Sequence, residues 1–257
     1  MRIAGVGHAV FAVMMIVLGG VGFFHPELVS LWGSVPARVP GHAWLPALMA
    51  LVSVAGGVGL LVPRVAGVAA RGLLITLCLW LLLLRLPEFF FQPLFAVCWS
   101  VFPLLLMVAA VLCLWFAADR AREGHGVILG QRGLRMAHIL YGLCLIFFGI
   151  AHFADVKDTV SLVPRWLPGH LLCAYFTGCA FLAAGLAAVT GVWARLAVTL
   201  SAVQIGLFLF LVWVPIVAAG SKSTFAWSEL ILNAALGAGA WVVAESYRGT
   251  RPGALTG

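Results

Sequence analysis

The sequence predicts an all-α, polytopic membrane protein of eight transmembrane helices, built as two parallel-repeat four-helix bundles. Three observations carry that reading. Of its 257 residues 64% are hydrophobic and 9% charged, with a mean hydropathy of +1.14, too little polar surface to wrap a soluble globule of this length. The apolar residues fall in Leu-, Ala- and Val-rich runs near the roughly 20 residues that a helix needs to cross a hydrocarbon core, without the alternation of barrel strands. Finally, one eight-residue phrase occurs twice, as Val35-Pro-Ala-Arg-Val-Pro-Gly-His42 and as Val163-Pro-Arg-Trp-Leu-Pro-Gly-His170. The copies lie 170 − 42 = 128 residues apart, about half the chain, so each half reads as a copy of the other.

The first span runs from Ile3 to Phe24. Arg2 before it imitates a signal peptide, but the run is too long, no small-x-small site precedes His25, and the second half repeats it, so it is read as a retained helix. The first phrase follows in a loop; its prolines exclude a regular helix, and Gly41-His42 marks entry into the second span, to Val62. After Pro63-Arg64 and Arg71 the third span rises through Leu73 to a break at Pro87, closed by the polar knot Arg85-Leu-Pro-Glu88 and an interfacial turn at Phe89 to Pro93. The fourth span, Leu94 to Ala117, completes the first repeat, residues 1–117, and a basic linker, 118–135, leads to the second repeat, 136–244. There the order recurs: a span from Met136 to Phe153, a loop to Gly169, a span to Val189, a tight turn at Thr190-Gly191, a span breaking at Pro215, and a last span from Phe225 to Ala244. A tail, 245–257, follows. Gly56-Gly57, Ala183-Ala-Gly185 and Gly237-Ala-Gly239 are expected where helices pack closely.

The formal net charge of +7 would raise a nucleic-acid hypothesis in a soluble protein, but here the arginines sit in short loops between apolar spans, and the partner they fit is the lipid bilayer. With eight spans both termini share a side, which carries ten Lys and Arg residues: Arg2, Arg64, Arg71, Arg120, Arg122, Arg132, Arg135, Arg195, Arg248 and Arg251. The other side carries five: Arg38, Arg85, Lys157, Arg165 and Lys222. The positive-inside rule then makes both termini cytoplasmic in a bacterial inner membrane, with the two phrases outside. Four spans per half relate the repeats by an axis along the membrane normal.

A glycine-terminated first helix, an outer loop ending in Pro-Gly and a small-residue-rich second helix resemble the DoxX-like family of bacterial membrane proteins. The clearest segments are Phe148-Gly-Ile-Ala-His-Phe153, Leu167-Pro-Gly169 and Ala183-Ala-Gly-Leu186. The resemblance implies a four-helix bundle, here in tandem, and, for DoxD-like members, a place in thiosulfate:quinone oxidoreductase complexes. It carries no catalytic signature.

Candidate sites come from the residues themselves. Six cysteines without a C-x-x-C read as small buried hydrophobes. Paired histidines could face each other across the repeat axis, His8 with His138 and His42 with His170, the geometry of bis-histidine haem. His25, His42, His152 and His170, with Asp155 or Glu27, could form an outer divalent-metal site. Charges within spans are costly, so Glu229 and Arg85 stand out, the more because their counterparts in the other half are Val101 and Trp213. A structural Arg85–Glu229 ion pair is the leading expectation, and a ligand or proton-handling role for Glu229 the alternative. Trp32, Trp44, Trp99, Trp166, Trp213 and Trp227 fit an interfacial aromatic belt. Trp166, His170, Trp227 and Glu229, with Arg85, could instead converge on a quinone. Two functions follow: a membrane subunit of a redox system, handling quinone or passing electrons from an extracytoplasmic or membrane partner protein, or a non-enzymatic accessory protein that scaffolds or binds a metal or lipid-like molecule. A small-solute transporter is disfavoured, because no matched pair of broken helices lies at midplane.

Overall fold

Runs without polar interruption leave the backbone no partner in lipid but itself, and the chain answers with helix throughout. The computed structural model describes residues 5–32, 35–36, 39–123 and 127–249, with side chains for all of these except 119–123, 127–130 and 249. Arg2, residues 37 and 38 of the first phrase, His125 and Arg251 lie outside the described residues. The helices are α1 (Val6–Phe24), α2 (Leu45–Leu61), α3 (Ala66–Trp80), α4 (Leu94–Glu123), α5 (Val127–Ala154), α6 (Val156–Leu162), α7 (His170–Thr190), α8 (Ala194–Phe208), α9 (Val214–Ala218) and α10 (Thr224–Ser246). There is no strand among the described residues. Seven helical segments are long and apolar enough to cross a membrane, and the shorter α2 is equally apolar, so the chain is a multi-pass membrane protein.

Pro87 and Pro215 do not break their helices. Each lacks the amide that an α-helix needs and would clash with the carbonyl four residues back, and each is preceded by a single π turn that widens the backbone. The turns span Leu81–Arg85 and Leu209–Trp213, closed by Leu86 N–H on Leu81 O and Val214 N–H on Leu209 O. The helices continue, as a 3-10 segment over Leu86–Phe90 and as α9. The second correction concerns the linker: α4 runs on through Glu123 and α5 starts at Val127, because the Ala-, Arg- and Glu-rich sequence favours helix once its charges reach water. The loop before Gly169 also holds α6. Gly169 and Gly41 both take left-handed φ, at 69° and 78°; α7 starts directly after the first, whereas a turn intervenes before α2.

Packing joins sequence neighbours into a ring. α1 lies on α2, α2 on α3, α3 on α4, α4 on α5, α5 on α7, α7 on α8, α8 on α10 and α10 on α1, while α4 and α10 meet across the middle. The closest crossings are made by glycine. A methyl added to Gly57 would sit 2.6 Å from Ala12 O, and one added to Gly185 2.6 Å from Gly142 O. Gly19 abuts Ala50 O and Val54, as Gly149 abuts Gly178 O and Leu182. Gly57 and Gly185 are small-residue positions expected from the sequence, whereas Gly19 and Gly149 are not among them.

One end of the bundle collects the start of α1 and the end of α10, where Gly5 and Gly7 lie against Glu245. The same end holds Arg135 of α5, whose Nη2 donates to Val189 O (2.6 Å) at the C-terminus of α7. Arg71 of α3 lies there too, 5.5 Å over the Trp115 ring of α4.

Candidate functional site

At the opposite end, the π turn before Pro87 swings Arg85 inward, where it is 5% exposed. A guanidinium at that depth requires a counter-charge, and the 3-10 turn that follows brings Glu88 to it: Arg85 Nη1 donates to Glu88 Oε1 at 2.7 Å. The Ser100 hydroxyl of α4 lies within donating distance of the other carboxylate oxygen, Oε2, at 3.1 Å, and shares its one proton between it and Val97 O of its own helix at 2.9 Å. The trio is neutral as a whole, and its carboxylate is fixed on both oxygens.

Glu88 also forms the polar wall of a cavity of about 140 Å³, otherwise lined by Pro36, Val39, Leu83, Leu84, Pro87 and Phe91. Pro36 and Val39 come from the first proline phrase, so the repeated loop covers the π turn. The size resembles the roughly 150 Å³ apolar cavity that admits benzene. Such a space has the size of one ring or one small head group, and among the described residues Glu88 is the polar side chain that lines it.

Arg85 therefore belongs to Glu88, and the expected Arg85–Glu229 ion pair is not formed. The polar knot at Arg85-Leu-Pro-Glu88 was legible in the sequence, but a helix ending at Pro87 would have separated the two side chains that the continuing turn joins. At the matching positions of the second half stand Trp213 and Ile216, and Ser228 keeps only the contact that Ser100 also makes within its own helix, to Phe225 O at 3.0 Å as Ser100 to Val97 O at 2.9 Å. Glu229 is half-buried on α10 and, among the described residues, makes no hydrogen bond or ion pair.

The other candidates are dispersed. Trp166 is exposed between α6 and α7, and Trp227 donates its Nε1–H to Ser221 O at 3.0 Å. Among the described residues no hydrogen bond or ring contact joins Trp166, His170, Trp227, Glu229 and Arg85 to one another. The histidine pairs also part. His8 Nε2 donates to Leu60 O of α2 (2.8 Å), while His138 Nε2 meets Ser246 Oγ (2.7 Å) and its ring stacks on Tyr247. His42 is exposed before α2, and His170 opens α7. The facing His8–His138 pair expected for haem is thus corrected, since His8 bonds Leu60 O and His138 bonds Ser246.

The outer metal site is corrected likewise. Among the described residues no three His, Cys, Asp or Glu side chains gather. His25 pairs with Glu27 at 3.2 Å; this exposed Glu27 lies below the ordinary carboxylate range chiefly through a backbone hydrogen bond, with His25 adding to it. His152 Nδ1 donates back to Phe148 O (2.8 Å), its ring stacked on Phe208. Of the tryptophans, Trp32 and Trp213 leave the expected belt for the interior, Trp32 packed edge-on against Trp80, whose Nε1–H it accepts at its carbonyl.

No family model, curated protein or solved structure matches this chain.

Proposed function

We propose that the chain is a non-enzymatic accessory protein of the bacterial cytoplasmic membrane, holding the head of a neutral, hydroxyl-bearing lipid-like molecule at its outer face. The observation that carries this reading is the Glu88 carboxylate, pinned by Arg85 and Ser100 on the wall of an otherwise apolar cavity. A charge already balanced by its own arginine repels neither a neutral ligand nor the bilayer, yet keeps lone pairs for a donor. The redox-subunit reading differs in the molecule held: a quinol also presents hydroxyl donors to Glu88, and a membrane or extracytoplasmic partner protein would then receive its electrons. The DoxX-like affiliation is part of this proposal and rests on the segments quoted above.

The proposed topology is eight crossings with both termini cytoplasmic. α2 spans about 25 Å by its 17 residues. It runs antiparallel along the whole of α1, with Gly57 at Ala12 and Gly19 at Ala50. A parallel repeat is supported by the neighbour ring, which maps onto itself when advanced by four spans, and by the π turns and glycine crossings recurring at offsets of 128 and 130 residues. A reporter fused after Arg122 is expected to read cytoplasmic; an extracytoplasmic signal there would overturn the topology.

The ligand is tested on purified full-length protein. Solvent extraction is expected to release a neutral lipid near one per chain from the wild type and at least tenfold less from Leu84→Trp, which fills the cavity. Equal amounts from both proteins would end the proposal. Quinone in the extract would select the redox reading, and an isoprenoid alcohol or glycerolipid the scaffold.

A further inference from the structure

Glu229 lies in the other half of the molecule from the Glu88 cavity and is left unexplained by it. Asn233, one turn deeper on the same face of α10, carries a buried Oδ1 without a partner. Two oxygen acceptors at i and i+4 on a helix are neighbours. Their counterparts in the first half are Val101 and Leu105, so the acceptors belong to this half alone.

The facing helix brings the turn before Pro215 to the same depth. Trp213 meets Phe225 edge-on at 6.0 Å, and Gly237 faces Ile205, so α8 and its π turn run antiparallel to α10 with Glu229 level with Phe210 and Leu211. Pro215 has no N–H, so the Leu211 carbonyl four residues back loses the donor that an α-helix would give it. Gly239 faces Leu106 and Ala110 of α4. At 100° per residue Glu229 points between the directions of Gly237 and Gly239, into the seam between α8 and α4. Among the described residues the seam therefore has a carboxylate and an unpartnered carboxamide oxygen at the level of the turn before Pro215, and Glu229 has no ion pair there, Arg85 being paired with Glu88.

We propose that Glu229 and Asn233, with the Leu211 carbonyl from which Pro215 withholds its α-helical donor, bind one monovalent alkali cation of sodium size. Hard oxygen donors suit such ions. A single carboxylate matches a single positive charge, whereas a divalent ion bound this deep would leave charge uncompensated.

The test uses the full chain in detergent, melted in sodium chloride and in choline chloride at equal ionic strength. Sodium at about ten times its dissociation constant is expected to raise the wild-type Tm by roughly 2–4 °C over choline. Glu229→Gln and Asn233→Leu should each abolish that rise. Asn233→Leu, which changes no charge, serves if Glu229→Gln does not fold. No sodium-dependent rise in the wild type, a rise retained in the variants, or stabilisation by acid but not by sodium would each overturn the site; the last outcome would mean that Glu229 takes a proton only.

Discussion

Glu88→Leu is expected to destabilise the protein by about 3–5 kcal/mol, because it strands a guanidinium that is 5% exposed. Arg85→Met should cost less, since a carboxylate that is 15% exposed can take up a proton where a guanidinium cannot lose one. The double substitution should recover more than half of the larger loss. The molecule already contains the precedent: at the same turn of the second half, Trp213 and Ile216 fill these places without any charge. Melting the four proteins side by side gives the coupling directly, and strictly additive losses would mean that the two side chains do not depend on each other.

The second large effect is steric. Gly185→Val and Gly57→Val are each expected to cost about 3 kcal/mol or more, the upper part of the range for overpacking. Their added methyls would meet backbone as well as an isoleucine side chain: Gly142 O at 2.6 Å and Ile146 N at 2.9 Å for Gly185, Ala12 O at 2.6 Å and Ile16 N at 3.0 Å for Gly57, and backbone cannot swing aside. The helix pairs must move apart to admit them. Gly20→Ala and Gly206→Ala provide the contrast, since nothing lies within 4 Å of the new methyl. At these sites the gain in helix propensity should leave stability level or raised by about 0.5–1 kcal/mol. Equal losses at all four glycines would contradict the packing described.

The helices were legible because a span is declared by composition alone, and the glycine crossings because small residues are what close backbones require. What escaped depends on partners distant in sequence. Nothing near Trp32 says that Trp80, 48 residues on, will take it into the interior, and nothing near His8 or His138 points to Leu60 O or Ser246. The prolines misled in a more local way. Pro87 and Pro215 forbid a regular α-helix, and the sequence leaves open whether the chain stops or inserts a π turn. That choice decided the site, because Arg85 reaches Glu88 only across a turn that continues. Glu88 was in view as part of a polar knot, but only the fold joined it to Ser100.

The seam between α1 and α10 sets a clock on assembly. Gly7 lies against Trp241 and Glu245, more than two hundred residues along the chain, whereas α1 finds α2 almost at once. At a synthesis rate of about 5–20 residues per second, α1 spends roughly 10–50 seconds in the bilayer before the helix that covers this flank has been made. For that time the flank is open to any other helix passing in the membrane. The nascent chain is most vulnerable to a wrong partner along α1, and the insertion of α10 ends the exposure.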